Sequence, residues 1–225
     1  FRLNGTADQR LYLDSHQAFD CGGLWRLYGP DDSALRIVCF GGEIEVTLPT
    51  DGVYFVTQEN GHPGEAMAFD WTLEDAASLS MAWPGFGVRE DNDIPGPGDQ
   101  RTYTMPGTAG KRIYYDALLA NPAATTITLL DPTGASVFSG NADSDVGPLT
   151  LILGGSYQLV FASVGDATGD FAFQVLDLAS ATPLTLGTSL TGQIDAGRET
   201  LQYRFTADAG DRVSLTSVAA SRSDA

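Results

Sequence analysis

Three stretches of this chain carry one pattern at nearly constant spacing, and that periodicity restricts the fold more than any other feature. Residues 1–14 (FRLNGTADQRLYLD), 103–116 (YTMPGTAGKRIYYD) and 203–216 (YRFTADAGDRVSLT) each open on an aromatic residue, pass a polar turn and resume an apolar alternation. Their starts, Phe1, Tyr103 and Tyr203, lie 102 and 100 residues apart. A period of this size implies a tandem array of small units, each with its own core. The likeness extends beyond these stretches. WRLYGPDDSAL from Trp25 lies over ITLLDPTGASV from Ile127, Tyr54 falls on Tyr157, and Phe69 and Trp71 fall on Phe171 and Phe173. We therefore expect one unit over 1–80, a second with its connector over 81–180, and the connector and opening strands of a third over 181–225. Phe1 falls inside a repeat and the third copy stops after its opening strands, so the chain is expected to be a segment of a longer protein.

Within a unit the segments are short and alternate with period two, the signature of half-buried strands. Trp25 and Leu27 share one face while Leu24, Arg26 and Tyr28 share the other; Ile44, Val46 and Leu48 alternate with polar residues. Gly, Pro and Asp punctuate these runs at 29–32, 51–52, 131–134 and 154–155, where their φ preferences favour tight turns. No stretch holds a sustained helical period, and residues 117–124 allow one helical turn at most. The expected fold class is all-β, built from tandem antiparallel β-sandwiches of the jelly-roll or immunoglobulin-like kind. Trp25, Tyr54, Phe69 and Trp71 recur as large apolar residues and are read as inter-sheet core, with Trp83 and Phe86 capping the interface between units.

The order of these marks resembles the bacterial pre-peptidase C-terminal (PPC-like) domain family. The residues carrying the resemblance are the turns Ala109-Gly-Lys-Arg112 and Ala209-Gly-Asp-Arg212, the strand ends Leu27-Tyr-Gly-Pro-Asp31 and Leu130-Asp-Pro-Thr-Gly134, and the late strands Gly52-Val-Tyr54 and Gly155-Ser-Tyr157. The first unit departs from the pattern with Asp8 where the others have Gly110 and Gly210. Asp is among the few residues that tolerate a left-handed backbone. The resemblance implies a non-catalytic β-sandwich of secreted or surface proteins, following a protease or arrayed in long chains, with some members binding calcium and some an extracellular polymer such as collagen.

The formal net charge is −17, and the 12 basic residues are scattered, which excludes a phosphate-binding surface and with it nucleic acid as a partner. No apolar run approaches the ~20 residues that cross a bilayer. No metalloprotease or nucleophile-elbow motif surrounds His16 or His62, so the chain is read as not an enzyme. Glu90, Asp91, Asn92 and Asp93 offer hard oxygen ligands beside the second unit and are the candidate Ca²⁺ site; the competing reading is a solvated charged linker. The matching connector, 189–193, has no acid. Cys21 and Cys39 flank the Trp25 strand and its return, either as a disulfide suited to an oxidising compartment or as two buried thiols.

These readings converge on a non-catalytic extracellular structural repeat, a spacer, stalk or adhesin/filament segment of a longer bacterial surface or secreted protein. Its partners are expected to be neighbouring repeats, head-to-tail copies or an extracellular polymer. The alternative is a glycan- or fibrous-protein-binding module accompanying a secreted hydrolase.

Overall fold

The computed structural model describes residues 1–119, 125–194 and 198–216. The helical turn allowed over 117–124 lies largely outside the described residues, as do 195–197 and 217–225. The chain is all-β, with antiparallel sheets packed as sandwiches.

The first sandwich is made of β1 (Arg2–Gly5), β2 (Arg10–Ser15), β3 (Asp20–Tyr28), β4 (Ala34–Phe40), β5 (Ile44–Thr47), β6 (Gly52–Asn60) and β7 (Trp71–Asp75). One sheet has the order β1-β6-β3-β4 and the other β5-β2-β7. Period-two alternation makes the core. Along β3, Trp25 and Leu27 point inward, and they meet Leu11 and Leu13 of β2, Ile44 and Val46 of β5, and Tyr54 and Val56 of β6. The turn between β3 and β4 is closed by Asp31, whose carboxylate accepts from the Ser33 amide (3.1 Å) and hydroxyl (2.7 Å).

The second sandwich comprises β8 (Ser78–Met81), β9 (Glu90–Ile94), β10 (Gln100–Gly107), β11 (Arg112–Ala117), β12 (Thr125–Leu130), β13 (Ser136–Asn141), β14 (Val146–Thr150), β15 (Gly155–Ser163) and β16 (Gly169–Asp177). Its sheets run β13-β12-β15-β10-β8 and β14-β11-β16-β9. Its core is separate from the first and is rich in aromatics: Tyr103, Tyr115, Tyr157, Phe161, Phe171 and Phe173 are buried together. Phe161 stacks on Phe171 with ring centres 4.2 Å apart. Trp83 and Phe86 meet edge to face at 5.5 Å and pack on this second core, with Lys111 over the Phe86 ring. A 3-10 turn at Leu178–Ser180 leads to β17 (Thr182–Pro183), which pairs in parallel with β18 (Tyr203–Arg204).

Each sandwich is locked by a buried tyrosine near the start of a central strand. The Tyr54 hydroxyl donates to the Thr50 carbonyl at 2.6 Å and the Tyr157 hydroxyl to the Leu153 carbonyl at 2.9 Å, four residues back in both cases. This is the corner device of immunoglobulin-like sandwiches, where a ring fills the core while its hydroxyl ties down a loop. Just ahead of each tyrosine lies a glycine with positive φ, Gly52 (155°) and Gly155 (140°). A Cβ on Gly52 would sit 2.4 Å from Pro30, and one on Gly155 2.9 Å from Pro132, so both positions require glycine.

One core expectation is corrected. Phe69, read as inter-sheet core beside Trp25, Tyr54 and Trp71, is half exposed, whereas Phe171 in the second sandwich is buried. The reason lies in the sheets. Phe171 is covered by β9, which pairs along β16, while β7 is an edge strand with a partner on one side only.

Candidate interaction surfaces

Two regions gather polar and aromatic side chains beyond what the cores require. The first is the junction between the sandwiches. Arg10, at the start of β2, donates to the Gly98 carbonyl at 2.8 Å and the Ala77 carbonyl at 3.4 Å, and pairs with Glu45. Asp99 is buried and accepts from the Ala77 amide at 2.6 Å and the Gly96 amide at 3.1 Å, which folds the connector back on itself. Tyr12 lies under Gly98 and is buried on the side of β2 that faces away from the first core. Burial, followed by the neighbouring Glu43 carboxylate, pushes the Tyr12 phenol above its ordinary pKa and keeps it neutral. Alternation along β2 marks Tyr12 as outward-facing, so its burial and the role of Asp99 have no signal in the local sequence.

The second region is the open side of the first sandwich. A shallow cleft of about 300 Å³ is lined by Gln17, Phe19, Asp20, Phe40 and Met67. Cys21 and Cys39 form a disulfide with Cα atoms 4.6 Å apart, tying the β3 end of this cleft to β4. Asp20 accepts from the Gly22 amide at 2.8 Å, and its carboxylate lies 3.3 Å from His62 Nε2. That amide, with the imidazole behind it, holds the Asp20 carboxyl below its usual range. His16 lies between Asp14 (3.3 Å) and Asp70 (3.4 Å). Partial desolvation lowers its pKa, but bonds to Asp70 and the charges of both carboxylates outweigh it, and the net shift is upward. Beside them Phe1, Phe69 and Trp71 form an aromatic group, with Phe1 edge-on to Trp71 at 4.9 Å and to Phe69 at 6.2 Å.

The four calcium candidates are in β9, not in a loop, and strand alternation divides them. Glu90 and Asn92 turn towards the Tyr103 hydroxyl, which donates to Glu90 at 3.1 Å and accepts from the Asn92 amide at 2.9 Å. Asp91 and Asp93 face solvent, and Asp91 is held by the Arg89 guanidinium through bonds of 2.6–3.1 Å. The four side chains therefore lie two on each face of the strand, whereas a Ca²⁺ shell draws six to eight oxygens to one point. Among the described residues, no group of three or more His, Cys, Asp or Glu side chains is placed to hold a metal ion. No helix among them is long and apolar enough to cross a membrane.

No protein-family model matches the chain, and no curated protein matches it. Solved structures that do match include the Aeromonas hydrophila periplasmic inhibitor of g-type lysozyme, PliG (13% identity, 44% of this chain and 98% of that one, TM-score 0.36). The pre-peptidase C-terminal domain of a Bacillus anthracis collagenase also matches (14% identity, 45% of this chain and 97% of that one, TM-score 0.30). A third match is the infectious bursal disease virus Gx strain (11% identity, 78% of this chain and 55% of that one, TM-score 0.15).

Proposed function

We propose that this chain is a non-catalytic structural segment of a longer bacterial surface or secreted protein, a spacer whose repeats are held in fixed relative orientation. The observation that carries the reading is the junction. The connector between the two cores is not a free tether, because its β8 and β9 are edge strands of opposite sheets of the second sandwich. Arg10 of the first sandwich then fastens it through the Gly98 and Ala77 carbonyls, while Asp99 holds the connector folded on itself. A Gly/Pro connector without such bonds would let the units swivel. The Cys21–Cys39 disulfide supports a location outside the reducing cytoplasm. Small-angle scattering of the protein in solution tests this: a spacer gives a profile fitted by a single arrangement of the two sandwiches. A profile requiring a broad ensemble of orientations overturns the reading.

A second reading rests on the cleft beside Phe19, whose ring is exposed at the rim. An exposed aromatic edge beside a cleft that mixes polar (Gln17, Asp20) and apolar (Phe40, Met67) side chains suits a glycan or fibrous-protein ligand. It predicts saturable binding to collagen-like peptides or to cell-wall glycan that Phe19→Ala weakens; no binding at millimolar ligand leaves the spacer alone.

A further inference from the structure

We propose that Asp116 and Asp145 of the second sandwich hold a hard divalent cation, Ca²⁺ or Mg²⁺, between them. The first observation is a sealed charge without a counterpart. Asp116 stands on the side of β11 that faces away from the core, since Ile113, Tyr115 and Ala117 take the inward side, yet it is 0% exposed. Its Oδ2 accepts from the Gln174 side-chain amide at 2.7 Å and from the Thr200 backbone amide at 3.1 Å. Its Oδ1 is enclosed in the same way and has no hydrogen-bond partner. A carboxylate taken out of water is costly unless it is paired, and a cation removes that cost. None of the basic side chains supplies the charge. Among the described residues, the Lys and Arg ion pairs go to Glu45, Glu59, Asp91 and Asp177. Arg198 turns its guanidinium to the Asp143 carbonyl.

The second carboxylate is held at the same place. Asp145, in the turn between β13 and β14, accepts from the Ala117 amide through Oδ1 at 2.9 Å. Its Oδ2 accepts from the Tyr114 hydroxyl at 3.2 Å and from the Thr200 hydroxyl at 3.4 Å. Thr200 therefore bonds both acids, one through its amide and the other through its hydroxyl. Unlike Glu90 to Asp93, these two acids are not divided between the faces of a strand. Asp145 is exposed, so an ion enters from its side and keeps part of its water. Asp116 Oδ1, Asp145 Oδ2 and the Thr200 hydroxyl are the ligands the chain provides, and water completes the shell, a mixed oxygen set that suits hard cations. With two carboxylates the expected affinity is modest, a Kd of about 10⁻⁴–10⁻³ M as in extracellular modules.

The first sandwich shows what an acid at this position requires. The pairings of β2 with β7 and of β11 with β16 coincide after a shift of 102 residues, which places Tyr12 on Tyr114, Asp14 on Asp116 and Glu43 on Asp145. There Asp14 has a basic neighbour, His16, with Nε2 at 3.3 Å. The same shift puts Leu118 in the place of His16. The second sandwich thus repeats the acids and loses the imidazole, which leaves the positive charge to come from solution.

Isothermal titration of chelator-treated protein with Ca²⁺, and in separate runs with Mg²⁺, tests the proposal at physiological ionic strength, where diffuse attraction of ions to a chain of charge −17 is screened. The expected result is one saturable event, and the ion that produces it is the ligand. Asp116→Asn and Asp145→Asn should each weaken binding by at least about 10-fold. Asp145 is exposed, so Asp145→Asn folds and carries the test where Asp116→Asn does not. Asp91→Asn, at an exposed carboxylate of β9, should leave binding unchanged. Absence of saturable binding by either ion up to about 10 mM, binding that survives both Asp116→Asn and Asp145→Asn, or equal loss in Asp91→Asn overturns the proposal. The ligands lie in the second sandwich and in Thr200, so this result is separate from the orientation of the two sandwiches that scattering measures.

Discussion

Tyr157 combines two jobs, since its ring fills the second core and its hydroxyl both donates to the Leu153 carbonyl and accepts from the Leu153 amide (3.1 Å). Tyr157→Phe keeps the ring and removes both bonds, so we expect a loss of about 1–3 kcal/mol, read as a lower urea midpoint with unchanged slope. The charged residues make a different prediction, about acid. Asp31 and Asp131 are held below the ordinary carboxylate range, first by the hydroxyls of Ser33 and Thr133 and then by turn amides; Asp177 is depressed by Lys111. A depressed folded pKa contributes stability above the unfolded value near 4 and loses it as pH falls through the folded value. Thermal melts should therefore fall below pH 4, and Asp131→Asn should flatten that slope. His16 has the opposite sign. Its raised pKa favours folding below about pH 6.5 and ceases to do so as pH climbs through the folded value, so His16→Asn should matter at pH 5 and progressively less as pH rises above the folded value. The turns of Asp31 and Asp131 were legible in the sequence because Asx turns are set by neighbours two residues away. Tyr12 was not, because its burial depends on a connector almost ninety residues downstream.

At the level of strands and hairpins, alternation carried most of the information. The inward pair Trp25 and Leu27 is where period two places it, and Asp8 adopts the left-handed backbone (φ 64°) that Gly110 has in the second sandwich. Elements whose identity depends on a remote partner were harder to read. Glu90-Asp-Asn-Asp93 has a poor composition for a strand and reads as a linker, yet β16 supplies the ladder that makes it β9. The same dependence misplaced Phe69, since an aromatic in a core pattern is covered only when both flanking strands are present. One reduction and one substitution probe this scale. Reducing the Cys21–Cys39 bridge, which closes a separation of 18 residues, should cost about 3 kcal/mol by chain entropy and lower the melting temperature of the first sandwich more than that of the second. Gly52→Ala brings a methyl group into Pro30 at a φ that L-residues avoid, so it should destabilise by more than about 1 kcal/mol while leaving the Tyr157 sandwich unaffected.

For the whole molecule, two separate cores would melt as two events if the connector carried nothing between them. Arg10 is the residue whose loss should expose that division: Arg10→Ala removes the bonds to Gly98 and Ala77 and leaves each core intact, so a calorimetric trace should split or broaden. The route of the connector has a mechanical side as well. It runs along β10 as β8 and then crosses to the opposite sheet to run along β16 as β9. A pull on the two ends of the chain meets no slack between the sandwiches, because lengthening the joint requires sliding β8 along β10 and loosening β9 from β16. Stretched by flow or by an attached surface, such a chain should hold its length up to a threshold and then yield in steps, behaving as a stiff link with a fuse instead of a spring.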